Sequence, residues 1–214
     1  MSDNIAIIGA GNVGGALGRR LAHAGYRVHF GVRAPAAIAE LVAACEGARA
    51  TSPAEAAQAA DAIFLTVPAA VAVEIATSLG GLAGKLVVDC SNPLRWEAGP
   101  VWNPPPEGSV AAAIAASAPE ARVVKAFNTF GAEFHGDPDL GGSRVQVPMA
   151  GDDQSAKEEL AAIAAKAGFE AVDAGPLRNA AVLENLAMLW IHLARVGGRG
   201  RDFVFQMIRR VMPS

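Results

Sequence analysis

Short apolar runs rich in β-branched residues alternate with alanine-rich stretches from the N-terminus to about Pro176. The short runs are typical of buried strands, and the longer stretches, several of them opened by Pro, Ser or Asp, are typical of helices. We predict strands at 5–8, 27–30, 62–66, 86–89, 123–126, 145–149 and 170–172, with a weaker one at 48–51. We predict helices at 13–24, 35–45, 54–60, 69–79, 110–116 and 153–167. This alternation predicts an α/β fold of Rossmann type, doubly wound around a mostly parallel sheet.

The pattern changes after Pro176 to one long amphipathic stretch over 178–196, then a glycine-rich break at 197–200 and a final helix to about Val211. We therefore divide the chain into an NAD(P)-binding domain at 1–176 and a C-terminal helical extension at 177–214. The long stretch carries more apolar surface than a lone exposed helix needs. We expect the extension to form a homodimer contact and a wall of the active site.

The segment 92–108 holds five prolines and two tryptophans. This composition predicts a long surface loop without regular structure. Loops of this length often cover a functional site.

A glycine-rich turn joins the first predicted strand to the first predicted helix. Gly9 permits the tight turn, Gly11 lets the backbone approach a pyrophosphate, and Gly14 lets the helix pack closely on the strand. The positive N-terminal end of the helix then attracts the phosphates. The turn, at the start of a βαβ unit, predicts that the chain binds a nicotinamide dinucleotide.

The end of the second predicted strand indicates which dinucleotide is bound. An NAD-selective fold usually carries Asp or Glu about 20 residues beyond the glycine turn, to bind the ribose hydroxyls. Here the strand ends in Gly31, Val32 and Arg33 instead. Because a guanidinium forms a two-pronged contact with a phosphate, Arg33 predicts recognition of the 2′-phosphate of NADP(H).

Three further strands are followed by segments suited to a nucleotide crevice, at 66–68, 89–94 and 125–130. Ligands of open α/β sheets gather at such carboxyl ends. Together with the glycine turn and Arg33, these segments resemble the NADP reductases that work with the deazaflavin coenzyme F420. The resemblance continues through 149–153 and 173–177 into the C-terminal helices, and so covers nearly the whole chain.

This resemblance implies a homodimer in which the nicotinamide and the deazaflavin ring lie face to face for direct hydride transfer. It implies that the pyrophosphate is held by Gly9, Gly11, Asn12, Val13 and Gly14, the 2′-phosphate by Arg33, and the nicotinamide side by Thr66, Val67 and Pro68. It further implies that the pocket of the second ring is walled by Asn92, Pro93, Asn128, Met149, Ala150 and Gly151.

No Ser-His-Asp order, metal-ligand cluster or carboxylate pair is evident in the sequence, so we expect no bound metal. His135 follows the crevice segment and is a candidate proton donor, although we expect a solvated loop histidine there. Lys125 and Asn128 form a second candidate, a lysine-asparagine pair of the kind found in hydroxyacid dehydrogenases. Residues three apart on a strand face opposite sides, so we expect Lys125 to cap the sheet end.

Composition excludes several other classes of protein. The net charge of −3 and pI near 5.8 leave no basic excess for a nucleic acid. No apolar run reaches the roughly 18 to 20 residues of a membrane span. Two cysteines are too few for a disulfide framework and suit the cytoplasm.

The hydride acceptor stays open among small molecules. The same motifs also resemble the reductase domain of membrane ferric reductases, in which NADPH electrons pass through flavin to iron. The alternatives to coenzyme F420 are therefore a flavin, a ferric chelate, or a small carbonyl or imine. A non-catalytic sensor of NADPH is a further alternative.

Overall fold

Eight strands form one central sheet in the computed structural model, which describes residues 3–208 and 210. They are β1 (Asn4–Ile8), β2 (Arg27–Gly31), β3 (Arg49–Thr51), β4 (Ala62–Leu65), β5 (Leu86–Asp89), β8 (Arg122–Lys125), β9 (Gln146–Gly151) and β10 (Glu170–Asp173). Two further strands, β6 (Leu94–Trp96) and β7 (Pro100–Trp102), form a separate antiparallel hairpin. The order across the large sheet is β10-β9-β8-β5-β4-β1-β2-β3.

All neighbouring strands of this sheet are parallel except β8 and β9. The carboxyl ends of β1, β2, β4, β5 and β8 therefore meet along one edge of the sheet. The strand order reverses beside β1, where parallel sheets of this kind form a ligand crevice. Because β9 runs antiparallel to β8, it enters at the crevice edge and leaves at the opposite edge.

Helices cover both faces of the sheet. They are α1 (Asn12–His23), α2 (Ala39–Ala43), α3 (Pro53–Gln58), α4 (Ala69–Leu79), α5 (Val110–Ser117), α6 (Ala132–Gly136), α7 (Gln154–Lys166) and α8 (Ala180–Arg195). Alternate residues of a strand point to opposite faces. Accordingly, Ile5 and Ile7 pack in the core on the α1 and α7 side, while Ala6 and Ile8 pack in the core against α3, α4 and α5.

The predicted fold class is confirmed, and a strand lies at each predicted position. The predicted helix at 35–45 is divided, since Pro35–Ile38 is a 3₁₀ turn and α2 follows it. The short α6 was not predicted. It follows Gly131 and is only five residues long, too short for a helical period to show in the sequence.

The prediction that 92–108 lacks regular structure was wrong. Pro100 lies on one strand of the hairpin, where Leu94 pairs with Trp102 and Trp96 pairs with Pro100. A proline is tolerated on a two-stranded ribbon because its missing N–H can face away from the partner strand.

The predicted final helix was wrong over 201–208, which contain no helix. Phe203 stacks on Trp190 of α8, and the Trp190 indole donates to the Phe203 carbonyl. The Gln146 side chain accepts a hydrogen bond from Met207 N and donates one to Met207 O. These contacts bind the segment to the sheet edge. The remainder of the prediction, at 209 and 211, lies outside the described residues.

Close packing of α1 on the sheet yields a prediction about stability. A Cβ at Gly18 would overlap the ring of Phe30, which is fully buried and cannot move without disturbing its neighbours. Gly18→Ala is expected to lower the free energy of unfolding by about 1 to 3 kcal/mol in urea denaturation.

Gly15→Ala on the same helix is the matched control. Its Cβ would meet a Leu41 methyl and the Ala10 carbonyl oxygen at ordinary distances of 3.6 and 3.7 Å, so stability should stay within about 1 kcal/mol of the parent. Equal effects of the two substitutions would contradict the packing argument.

Candidate nucleotide-binding site

The glycine turn after β1 has the backbone geometry that a dinucleotide requires. Gly9 adopts a left-handed φ of 98°, and its amide donates to the Gly31 carbonyl at 3.0 Å. A Cβ at Gly14 would overlap the Gly9 carbonyl oxygen, so α1 approaches the turn more closely than any other residue would allow. A Cβ at Gly11 would meet nothing within 4 Å. Open space therefore lies beside Gly11, where a pyrophosphate would lie.

Asn12 and Val13 form the first turn of α1, and Asn12 is exposed. No side chain caps this helix end, and its first turn holds no acidic residue. The amides and the positive end of the helix dipole are thus left for an anionic ligand.

Thr66 supports the turn from the next strand end. Its hydroxyl lies 2.7 Å from the Gly9 carbonyl and 3.1 Å from that of Ile8. The hydroxyl therefore holds the glycine turn in place, although the resemblance places Thr66 at the nicotinamide.

A cleft of about 680 Å³ opens beside the turn at the end of β2. Arg33, Val67 and Pro68 line it together with Gly9 and Pro53. The Arg33 side chain forms no ion pair or hydrogen bond with any described residue, so its guanidinium is free to bind an anion. The structure thus groups Val67 and Pro68 with Arg33.

A neighbouring cleft is lined by a cationic side chain that was not among the predicted site residues. Arg19 of α1 lines it together with Gly11, Asn12 and Gly15. Arg19 lies two helical turns beyond Gly11, a spacing that places both on the same side of a helix and was the available signal.

Asn92 and Asn128 form an amide pair at the carboxyl ends of β5 and β8. Asn128 Nδ2 donates to Asn92 Oδ1 at 2.9 Å, and Asn92 Nδ2 donates to the Asn128 carbonyl at 2.8 Å. The Asn128 Oδ1 atom is buried and has no hydrogen-bond donor among the described residues. Pro93 is buried beside the pair. Arg33 follows β2 and marks the 2′-phosphate end of the crevice, so the pair after β5 and β8 lies at the opposite end, where the nicotinamide and a second ring would meet.

His135 was wrongly expected to be a solvated loop histidine. It lies on α6 with no exposed surface, and its two ring nitrogens lie 2.9 and 3.0 Å from the carbonyl oxygens of Gly131 and Phe127. Burial lowers the pKa of His135, although the two hydrogen bonds oppose the shift. Phe127 has a left-handed φ of 58°, a strained conformation for a phenylalanine. His135 thus braces the turn that carries Asn128 and is not placed to reach a substrate.

Lys125 is the last residue of β8, at the sheet end as expected, and it forms no hydrogen bond with Asn128 within 3–208 and 210, so the lysine-asparagine pair is not formed. Its ammonium has no exposed surface and donates to Asp89 Oδ2 at 2.7 Å, the Ser91 carbonyl at 2.5 Å and Glu184 Oε1 at 3.0 Å. An ammonium has three donors, so none is left for a substrate. No carboxylate pair is evident in the sequence, yet Lys125 joins Asp89 to Glu184, which lies 59 residues beyond Lys125 in the chain.

Met149, Ala150 and Gly151 are buried in the structure and are not brought to the crevice surface. Ala150 lies opposite Lys125, and Gly151 lies opposite Val124. Since β9 is antiparallel to β8, its carboxyl end turns away from the crevice. The expectation that these three residues wall a ligand pocket finds no support in this arrangement.

Both cysteines are buried free thiols. Burial is the main cause that raises the pKa of the Cys90 thiol, and the neighbouring Asp89 carboxylate raises it further. Within 3–208 and 210, no group of His, Cys, Asp and Glu could hold a metal ion, and no helix is long and apolar enough to cross a membrane.

These features fit an NADP(H) molecule. The glycine turn leaves space and free amides for the pyrophosphate, and Arg33 is unpaired for the 2′-phosphate. Fold and site together define a Rossmann-type NADP-dependent oxidoreductase.

Comparison with known proteins identifies the family. Residues 4–93 match the family model of coenzyme F420-dependent NADP oxidoreductases. A solved structure from Arthrobacter sp. FB24, provisionally assigned as an F420-dependent NADP reductase, is 31% identical with a TM-score of 0.86. That match covers 96% of this chain and 99% of the other. The protein therefore belongs to the coenzyme F420-dependent NADP oxidoreductase family.

Other relatives differ in name and length. A hypothetical protein from Sinorhizobium meliloti is 31% identical with a TM-score of 0.73, over 83% of this chain and 86% of that one. The metalloreductase STEAP3 of Rattus norvegicus is 31% identical over 86% of this chain, which spans only 36% of that relative's length. An imine reductase from Pseudomonas sp. is 20% identical with a TM-score of 0.70, and so shares the fold. That match covers 92% of this chain and 64% of the imine reductase.

The unpaired Arg33 yields a prediction about cofactor selectivity. Arg33→Ala is expected to raise the dissociation constant of NADPH by about tenfold or more, the effect of losing one charge-assisted hydrogen bond. NADH lacks the 2′-phosphate, so its dissociation constant should stay nearly unchanged. Calorimetric titration measures both, and an equal loss for the two nucleotides would remove Arg33 from the 2′-phosphate site.

The open space beside Gly11 yields a second prediction. Gly11→Ala introduces no clash within the protein, so the melting temperature should not fall. The added methyl would occupy the space of the pyrophosphate, and the dissociation constant of NADPH should rise by about tenfold or more. An unchanged affinity would show that the pyrophosphate lies elsewhere.

Proposed function

We propose that this protein transfers a hydride between NADP(H) and coenzyme F420 or a similar deazaflavin acceptor. NADPH supplies the hydride from its nicotinamide ring. The glycine turn and Arg33 bind the phosphates, and the Asn92–Asn128 pair borders the end of the crevice where the nicotinamide and the acceptor ring would meet. The protein then acts mainly by binding and orienting two flat rings.

One observation favours a deazaflavin acceptor over a carbonyl or an imine. Both candidate proton donors, His135 and Lys125, are fully buried and hydrogen-bonded within the protein. A carbonyl or imine localises negative charge on one atom as it accepts a hydride, and so benefits from an acid in place. A flavin or deazaflavin ring delocalises that charge and can take its proton from water afterwards.

A third cleft is the proposed binding site of the acceptor. It has a volume of about 630 Å³ and is lined by Leu94, Trp96, Trp190, Ile191, Arg195 and Arg201. Leu94 follows Pro93 directly, and Trp190 lies against Gly131, so the cleft adjoins the segments that carry Asn92 and Asn128. The exposed Trp96 indole favours a flat aromatic ligand, and Arg195 favours an anionic one, whereas Arg201 is already paired with Glu133.

The match to a metalloreductase supports a second candidate function. STEAP3 of Rattus norvegicus is related to this chain along 184 residues. A flavin could occupy the same cleft by the same chemistry and pass electrons to a ferric chelate. The two candidates differ in the acceptor and share the site for NADPH.

The C-terminal extension at 177–214 is the proposed wall of the acceptor site and the proposed contact of a homodimer. Val182 and Leu189 on α8 and Val196 directly after it are exposed and lie seven residues apart, so they form an apolar stripe along one side of the helix. Such a stripe is typical of helices that pack on a second helix. The free thiols of both cysteines support a cytoplasmic location.

Anaerobic oxidation of NADPH, followed at 340 nm, tests the proposed function. Oxidised coenzyme F420, FMN, ferric citrate with FMN, and a small cyclic imine are offered separately to the purified protein. Coenzyme F420 is expected to be reduced at least about 100-fold faster than the imine, because neither His135 nor Lys125 is placed to protonate an imine.

Each other result points elsewhere. Turnover only with FMN, or with FMN and iron, would favour the metalloreductase-like function. Rapid imine reduction would contradict the proton-donor argument. Tight binding of NADPH without any turnover would favour a sensor.

A further inference from the structure

The buried carboxylate of Glu184 contacts three separate parts of the chain. Its Oε1 atom accepts from Lys125 Nζ and from Val110 N, both at 3.0 Å, and its Oε2 atom accepts from Trp102 Nε1 at 3.0 Å. Glu184 has no exposed surface. A helix of a peripheral extension thus places a fully buried charge beneath the crevice edge.

Two chains of hydrogen bonds lead from Glu184 to the segment that carries Asn92. Through Lys125, the first reaches the Ser91 carbonyl at 2.5 Å, and Asp89 Oδ1 accepts from Ser91 N and Ser91 Oγ at 2.9 and 2.7 Å. The second passes through Trp102 to the next residue in the chain, Asn103. The backbone N–H of Asn103 donates to the Pro93 carbonyl at 2.9 Å. The residues on both sides of Asn92 are therefore held from the same carboxylate.

Each carboxylate oxygen and each ammonium proton of this network has a partner. Asp89 and Glu184 each accept from three donors, and Lys125 donates to three acceptors. Val110 N lies at the N-terminus of α5, whose positive dipole favours the extra negative charge. Buried networks of this kind fix a single geometry, because a partly satisfied one is costly.

We infer that Glu184 is a positioning residue for the nicotinamide end of the crevice, acting through Lys125 and Trp102 on the Asn92–Asn128 pair. The packing of α8 on the sheet then determines how the nicotinamide ring is positioned. The inference rests on the proposed binding of NADP(H) in this crevice. It does not depend on which acceptor receives the hydride.

Glu184→Gln tests the inference with little change of shape. All three groups around the carboxylate are donors, so the amide must turn its own NH₂ toward Lys125, Val110 or Trp102. The network cannot close, and the Ser91–Pro93 segment loses its fixed position. Glu159→Gln is the matched control, since Glu159 is also a helical glutamate paired with a β8 cation, Arg122, at the opposite edge of the sheet.

The readout compares NADPH with adenosine 2′,5′-bisphosphate, which lacks the nicotinamide half. Glu184→Gln is expected to raise the dissociation constant of NADPH about tenfold and to leave that of the bisphosphate within about twofold. With an active acceptor, the hydride-transfer rate in a single turnover should fall by about 10- to 100-fold. Glu159→Gln should change none of these quantities beyond its effect on the folded fraction.

The outcomes separate a positioning role from a structural one. Equal losses for both nucleotides, or losses that match those of Glu159→Gln, would overturn the inference, as would unchanged affinities. If Glu184→Gln does not fold, Trp102→Phe removes only the indole N–H and should give the same selective loss in smaller measure. Absence of turnover in the parent protein would refute the proposed function, while the two affinities still decide the inference.

Discussion

A buried ammonium group must find three acceptors, and the way in which Lys125 finds them determines how the crevice edge is built. One acceptor lies on β5, one on the turn after β5, and one on α8. Removing one partner of such a group strands a charge in the interior and costs several kcal/mol, roughly 3 to 5 in comparable cases. The sheet, the hairpin and the C-terminal helix are therefore constrained to one mutual arrangement.

The fold could be predicted from the sequence where local signals and tertiary packing agree. The bounds of α4 and β5 match the prediction, because an alanine-rich stretch and a β-branched run report burial directly. The hairpin and the segment at 203–207 could not be predicted in this way. Their conformations depend on Trp102 meeting Glu184 and on Phe203 meeting Trp190, which are contacts between distant positions.

The residues of the candidate site differ in the same way in how well the sequence predicts them. Gly9, Gly11 and Gly14 are recognisable because a backbone conformation or a close approach limits each position to glycine. Glu184 gave no such signal, since a single glutamate on an amphipathic helix looks like a solvated residue. Met149 was misplaced because the sequence does not report strand direction, and an antiparallel β9 reverses which end faces the ligand. The acceptor depends on such distant contacts, and the motifs therefore indicate the cofactor better than its partner.

The buried thiols have a practical consequence for the handling of this protein. Only a thiolate reacts readily with alkylating agents or peroxides, and the raised pKa of Cys90 leaves almost none of it at neutral pH. Cys45 is buried as well, and burial raises its pKa in the same direction. Storage in air should therefore oxidise the native chain slowly without added reductant. If a thiol reacts only when the structure around it opens, the rate of its alkylation measures the rate or the extent of that opening.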